Sequence, residues 1–146
     1  MKEVIETLDF TASERDVTVA LTGDFPRALS VKAPVDGLRH VFSNIISNAI
    51  KYSHVGSTVR VGFSRENDTA VISVEDQGIG IPERDQRKIF VEYFRGSNAP
   101  AGEKGTGLGL YFTKRLVESF GGRVWFVSEE HKGSKFYIEV PLHKTI

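Results

Sequence analysis

The chain is 146 residues long, carries 19 Lys plus Arg against 19 Asp plus Glu, and has no cysteine. That length suits a single domain over residues 1–146 with a real hydrophobic core, and the balanced charge leaves no global field to recruit nucleic acid or an anionic membrane, so affinity for phosphate must come from local geometry. The missing thiols exclude disulfides, thiolate metal sites and cysteine nucleophiles, and there is neither an apolar run of membrane-spanning length nor, in Met1-Lys2-Glu3, the start of a signal peptide.

Residues Lys2 to Arg15 read as a short amphipathic helix, with Val4, Ile5 and Leu8 at helical spacing. Val17, Val19 and Leu21 alternate with polar neighbours as a strand, and Leu29 to Lys32 offers a second short one. Asp36 is a candidate N-cap for a helix over Asp36–Tyr52, whose Leu38, Val41, Phe42, Ile45, Ile46, Ala49 and Ile50 require one broad buried face. Thr58–Phe63 and Thr69–Glu75 are β-rich runs joined by a polar turn at Arg65–Asp68, which predicts a hairpin. After Asp76–Pro82, broken by two glycines and a proline, Glu83–Phe94 reads as a helix with acidic residues in its first turn.

Arg95–Lys104 is rich in Gly, Pro, Ala and polar residues, has little to bury, and is expected to be a mobile loop. Leu108–Phe120 resumes helical spacing and is stopped by Gly121-Gly122. Arg123–Ser128 and Lys135–Leu142 close the chain as two strands joined across Glu129–Gly133. Helices mixed with hairpins predict an α/β fold, a two-layer sandwich in which helices cover one face of a mixed, mostly antiparallel sheet.

Three stretches carry chemistry. On the central helix Asn44, Asn48 and Lys51 stand at i, i+4 and i+7, one row at the margin of the apolar stripe. Helix propensity does not favour two asparagines a turn apart, so the row is either a grip for phosphates and a metal or a solvated flank. Asp76-Gln77-Gly78-Ile79-Gly80-Ile81-Pro82 puts a carboxylate at a strand end among glycines. That suits an acceptor for an exocyclic amine such as adenine's; the alternative is a turn in which Asp76 caps local amides. Lys104-Gly105-Thr106-Gly107-Leu108-Gly109-Leu110 runs alternate glycines into a helix start, where unpaired N–H groups can receive phosphate; without a ligand it is a hinge. Its GxGxG is neither the GxGxxG of a dinucleotide fold nor a Walker loop.

In order the chain reads NxxxNAxKY, DxGxGIP, IFxxYFRG, GTGLGL, then GG followed by GSxFxIxVP. From about Leu29 to Leu142 that order resembles the catalytic and ATP-binding domain of sensor histidine kinases, within the superfamily of gyrase-type topoisomerases, mismatch-repair ATPases and a heat-shock chaperone. The resemblance implies a Bergerat-type fold with ATP and Mg²⁺ as cofactors. It assigns Asn48 to the metal, Asn44 and Lys51 to the phosphates and Tyr52 to the nucleotide's edge, and these three polar residues of the helix are the catalytic candidates. Asp76 resembles the adenine-reading aspartate, with Gly78, Gly80 and Ile81 shaping its pocket. Gly105, Thr106, Gly107, Leu108 and Gly109 form the phosphate-side segment, Leu110 packs near the base, and Ser134 supports adenine. Phe90, Tyr93 and Phe94 match the aromatic box that roots a lid over ATP. Arg95 either reaches phosphate from that root or is a surface arginine. Val91 and Glu92 depart from the commoner pattern of the box.

Hydrolases of the superfamily carry a glutamate one turn before the metal-binding asparagine. Asn44 occupies that position here, and an amide cannot take a proton from water, which favours phosphoryl transfer over hydrolysis. His40, His54, His131 and His143 do not sit in the acceptor-histidine context of such kinases. The resemblance therefore implies the catalytic half of a larger kinase in the cytoplasm, whether or not its parent chain is anchored in a membrane. Its partners would be a histidine-bearing dimerisation domain and a response regulator receiver domain, without nucleic acid or direct membrane contact. The alternative is a nucleotide-gated interaction module, akin to anti-sigma kinases or degenerate kinases, that binds ATP without phosphorylating histidine.

Overall fold

The computed structural model describes residues 1–103 and 105–144; Lys104, at the head of the glycine cluster, and the last two residues lie outside the described residues. The elements run α1 (Lys2–Glu14), β1 (Thr18–Thr22), α2 (Val35–Tyr52), β2 (Thr58–Glu66), β3 (Thr69–Asp76), α3 (Glu83–Gln86), α4 (Gly109–Ser119), β4 (Arg123–Glu129) and β5 (Gly133–Pro141). The strands form one sheet in the order β1-β2-β3-β5-β4. Only β1 and β2 pair in parallel; every other neighbour is antiparallel.

Period-two alternation decides what each strand buries. Val59 and Val61 of β2, Ala70, Ile72 and Val74 of β3, and Ile138 and Val140 of β5 point to one face and are buried there. The helical layer closes that face: α2 brings Val41, Phe42, Ile45, Ile46, Ala49 and Ile50, and α1 and α4 add Val4, Ala12 and Val117. Each buried Val, Ile or Phe side chain contributes about 1.5–3 kcal/mol by leaving water. On the opposite face Val71 is buried and Trp125 stacks on Tyr137 at 5.2 Å. This is the two-layer α/β sandwich expected from the pattern of elements. No helix among the described residues is long and apolar enough to cross a membrane.

Three local expectations are corrected. Leu29–Lys32 forms no strand; Val31 makes a single bridge to Leu142, because Pro26 and Pro34 on either side remove backbone donors that a longer ladder would use. The N-cap of α2 is Pro34, with extended φ and ψ of −62° and 136°. Asp36 instead sits in the first turn, where its carboxylate faces the helix dipole and pairs with Arg39 at 3.5 Å. The helix expected over Glu83–Phe94 stops after Gln86, and the chain continues through single turns to Phe94. Ile89, Phe90, Val91, Tyr93 and Phe94 are β-branched or aromatic and lose side-chain freedom in a helix, and Tyr93 takes a positive φ of 62° that ends helical progression. Arg95–Glu103 has no helix or strand, as its composition predicts, yet it is tied down at several points by side chains described below.

The stop of α4 follows the expected chemistry. The N–H of Gly122 bonds the carbonyl of Val117 at 2.9 Å and that of Gly121 bonds Glu118 at 3.0 Å, the paired bonds of a Schellman cap.

Candidate functional site

Four segments meet at one end of the sheet: the C-terminal half of α2, the loop after β3, residues 94–103 with 105–107, and the start of α4. They enclose a cavity of about 260 Å³. Ile45, Ala49, Ile79, Ile81, Ile89, Leu110 and Phe136 make its walls largely apolar, which suits a flat ring system.

Its polar groups fall into two sets, of which Asp76 leads the first. It is 7% exposed at the end of β3, and its Oδ1 accepts the N–H groups of Gly78 at 3.0 Å and Ser134 at 3.3 Å. No other hydrogen bond to the carboxylate is made among the described residues, so Oδ2 keeps its accepting capacity and could take a donor from a ligand. Burial pushes the Asp76 carboxyl up to about 6, against the lowering effect of the two backbone donors. The loop that follows is clamped from beneath. Ser128 Oγ accepts the Ile81 N–H at 2.8 Å and bonds Ser134 Oγ at 2.7 Å, while Gln86 Nε2 donates to the carbonyls of Ile81 and Ser128 at 3.1 Å each. Gly80 must be glycine: its φ is +66°, and a Cβ there would stand 2.0 Å from the Glu129 carbonyl oxygen.

The second set lies at the α2 and α4 side of the cavity, and its chemistry suits an anion. Asn48 and Lys51 project from α2 into the cavity, joined by Arg95, Gly105, Thr106, Gly107 and Gly109. Lys51 Nζ lies 5.1 Å from the Tyr52 ring centroid. Gly107 has a φ of +71° and presses on the Tyr93–Phe94 backbone, where a Cβ would come within 2.6 Å. That contact seats the glycine segment on the aromatic box. Thr106 Oγ1 accepts the Leu108 N–H at 3.3 Å, and α4 begins at Gly109 with no side-chain cap. Its first amides therefore have no partner within the helix and, with the helix dipole, favour an anion.

Thus Asn48, Lys51, Tyr52, Asp76, Gly80, Ile81, Arg95, Gly105, Thr106, Gly107, Gly109, Leu110 and Ser134, all singled out from the sequence, line one cavity. Three others do not. Asn44 turns its amide to Thr113 of α4, Nδ2 to Oγ1 at 3.4 Å, so the row expected along α2 splits at its first member. Gly78 lies under the site, bridged to Ser53 with Ile79 N–H on the Tyr52 carbonyl at 3.2 Å. Leu108 precedes α4 outside the lining. Ser134 supports Asp76 through its backbone N–H, its hydroxyl being engaged by Ser128. Arg95 donates to the Glu103 carbonyl.

Sequence reasoning missed Asn98, whose Nδ2 donates to the Gly80 carbonyl at 3.1 Å and ties the lid across the cavity to the Asp76 loop. It also missed Asp85, whose Oδ2 accepts the Ser97 N–H at 2.8 Å and hydroxyl at 2.7 Å. Those bonds hold its carboxyl below the usual range. Phe136 was legible in principle, since it shares the inward phase of Ile138 and Val140.

Among the described residues no group of three or more His, Asp or Glu side chains could cage a metal. A cation here would take one amide oxygen from Asn48 and its remaining ligands from a phosphate-bearing ligand and water, a donor set that fits Mg²⁺.

Residues 33–144 match the family described as histidine kinase-, DNA gyrase B-, and HSP90-like ATPase. The adaptive-response sensory kinase SasA of Prochlorococcus marinus is 38% identical over 126 residues, 85% of this chain and 33% of that protein. The chain thus spans about a third of the length of the curated relatives of this kind. Among solved structures, the mycobacterial sensor histidine kinase MprB superposes with a TM-score of 0.81 at 27% identity, covering 99% of this chain and 97% of that one. Full-length ShkA in complex with AMPPNP superposes with a TM-score of 0.76 at 25% identity, covering 99% of this chain and 29% of that one.

Proposed function

The chain belongs to the histidine kinase-, DNA gyrase B- and HSP90-like ATPase family, and on that premise we propose that its cavity binds ATP with Mg²⁺ and that the domain donates the γ-phosphate to a histidine on a separate dimerisation domain. The observation that carries this reading is the pairing, in one cavity, of a buried carboxylate having one uncommitted oxygen with an uncapped helix start flanked by Asn48 and Lys51. The first fits the amine of adenine, the second a polyphosphate. The likeness to a kinase solved with AMPPNP supports the same ligand.

Asp76 accepts the adenine amine, and Leu110 and Phe136 bound the base. Lys51 and the first amides of α4 neutralise phosphate charge, Asn48 offers its amide oxygen to Mg²⁺, and bound Mg²⁺ supplies charge neutralisation between phosphate groups. The chain's part is to position the γ-phosphorus. The acceptor imidazole nitrogen forms the new P–N bond, the bond to the β–γ bridging oxygen breaks, and ADP leaves with that electron pair. Asn44 provides no carboxylate to activate water, which disfavours the competing hydrolysis. His40, His54, His131 and His143 are all exposed and outside the cavity, so the acceptor comes from elsewhere, and a receiver domain would then take the phosphoryl group.

Incubating this domain with γ-labelled ATP and its parent's dimerisation domain should give acid-labile, base-stable label on the latter. ATP binding with no label under any condition would instead favour the nucleotide-gated interaction module.

A further inference from the structure

Glu103 places a carboxylate in a recess beside the cavity, next to Asn48 and Lys51, which line both. Arg15, at the end of α1, grips it with both terminal nitrogens, Nη1 to Oε1 at 2.8 Å and Nη2 to Oε2 at 3.2 Å. The same Nη1 donates to the Lys51 carbonyl at 3.1 Å. Arg95 donates to the backbone carbonyl of Glu103. Lys51 and Arg95 converge on Gly105, where a Cβ would lie 2.9 Å from Lys51 Nζ and 3.7 Å from Arg95 Nε. The Arg15 hydrogen bond, followed by the charges of Arg15, Lys51 and Arg95, holds the Glu103 carboxyl below the usual range. Arg15 and Glu103 line an adjoining open recess of about 490 Å³ rather than the main cavity itself, and Asn48 and Lys51 belong to the walls of both.

We propose that Glu103 is an internal stand-in for the nucleotide's terminal phosphate, and that Arg15 is a further phosphate-binding residue that receives this phosphate when Glu103 moves out. The inference rests on the nucleotide reading of the cavity. Without ligand, three cations brought together by α1, α2 and the lid repel one another, and the lid's carboxylate offsets that repulsion with a two-bond fork to Arg15. A terminal phosphate carries more charge and three acceptor oxygens, so it competes for the same cations. Displacing Glu103 then frees the lid segment that carries it, and it links α1, which lies outside the signature motifs, to occupancy of the phosphate side.

The test titrates ATP and ADP, with Mg²⁺, into the wild type, Glu103→Gln and the double variant Glu103→Gln/Arg15→Gln, with thermal melts confirming that all three fold. Glu103→Gln should bind ATP roughly two- to fivefold tighter, the range of an exposed ion pair, with a smaller change for ADP, which lacks the terminal phosphate. Arg15→Gln should cancel that gain in the Glu103→Gln background, where no ion pair remains to be broken. ATP binding unchanged or weakened in Glu103→Gln would show that the pair is a structural clamp and overturn the proposal. A double variant equal to Glu103→Gln would remove Arg15 from the site. Failure of the wild type to bind ATP at all would instead defeat the nucleotide reading, and this inference with it.

Discussion

Replacing Asp76 by Asn should move binding and stability in opposite directions. In the native chain Asp76 Oδ1 accepts two backbone N–H groups, and the amide oxygen of Asn can keep both. Its Nδ2 would then stand where Oδ2 faces the cavity, so a donor would meet the donating amine of adenine. Losing a hydrogen bond to a charged acceptor costs about 1.5–3 kcal/mol, which is roughly a 10- to 150-fold rise in the ATP dissociation constant. Stability responds to the other consequence, removal of a buried charge. Asp76 rises from an ordinary 3.8 to about 6, so between those values the folded chain holds a proton that the unfolded chain has lost. Stability therefore falls as pH rises through that window, by at most about 3 kcal/mol, and this penalty persists at neutral pH. Asn carries no such penalty. At pH 7.5 the variant should melt at or above the wild-type temperature while ATP titration shows the weakened affinity. Native-like ATP affinity, or a clear loss of stability, would refute the placement of Asp76 as a ligand-facing acceptor supported by backbone donors.

Because the ligand's amine favours the ionised carboxylate, ATP binding near pH 6 should release a proton from Asp76. Calorimetry in buffers of differing ionisation enthalpy should show a release that Asp76→Asn lacks, and identical proton balances in the two proteins would contradict it. Gly80→Ala combines a positive φ with a Cβ 2.0 Å from a carbonyl oxygen, so denaturant unfolding should show a loss of about 2–4 kcal/mol; a variant as stable as the wild type would mean the loop can be rebuilt at little cost. In the lid, the N–H groups of Ala99 and Glu103 make single-turn bonds to the carbonyls of Gly96 and Pro100. Amide exchange across Ala99–Gly102 should slow on addition of ATP, and equal rates with and without nucleotide would argue against closure over the ligand.

The parts of the molecule legible in the sequence are those set by periodicity and by short local geometry. The apolar spacing of α2, the alternation in β2, β3 and β5, and the glycines near Asp76 and Thr106 each act within a few residues, so their pattern survives in one dimension. The limits came from tertiary choices. Asn44 shares a helix flank with Asn48, yet a buried threonine on α4 draws its amide aside. Glu83–Phe94 has acceptable spacing for a helix, but Ile89 is buried and Phe94 reaches the cavity only if the chain turns after Gln86. Asn98, Asp85 and Glu103 lie in or beside a segment with no period at all, and their partners are far away in the chain. Composition correctly marked that segment as irregular, but it carries no trace of the hydrogen bonds that hold it.

The most direct measurement is titration of ATP into the wild type and Asn48→Ala with and without Mg²⁺. The account predicts saturable binding of one nucleotide per chain, tightened by Mg²⁺ in the wild type, with that tightening lost in Asn48→Ala while the fold is retained. Absence of binding by the wild type, or the same Mg²⁺ enhancement in both proteins, would contradict it.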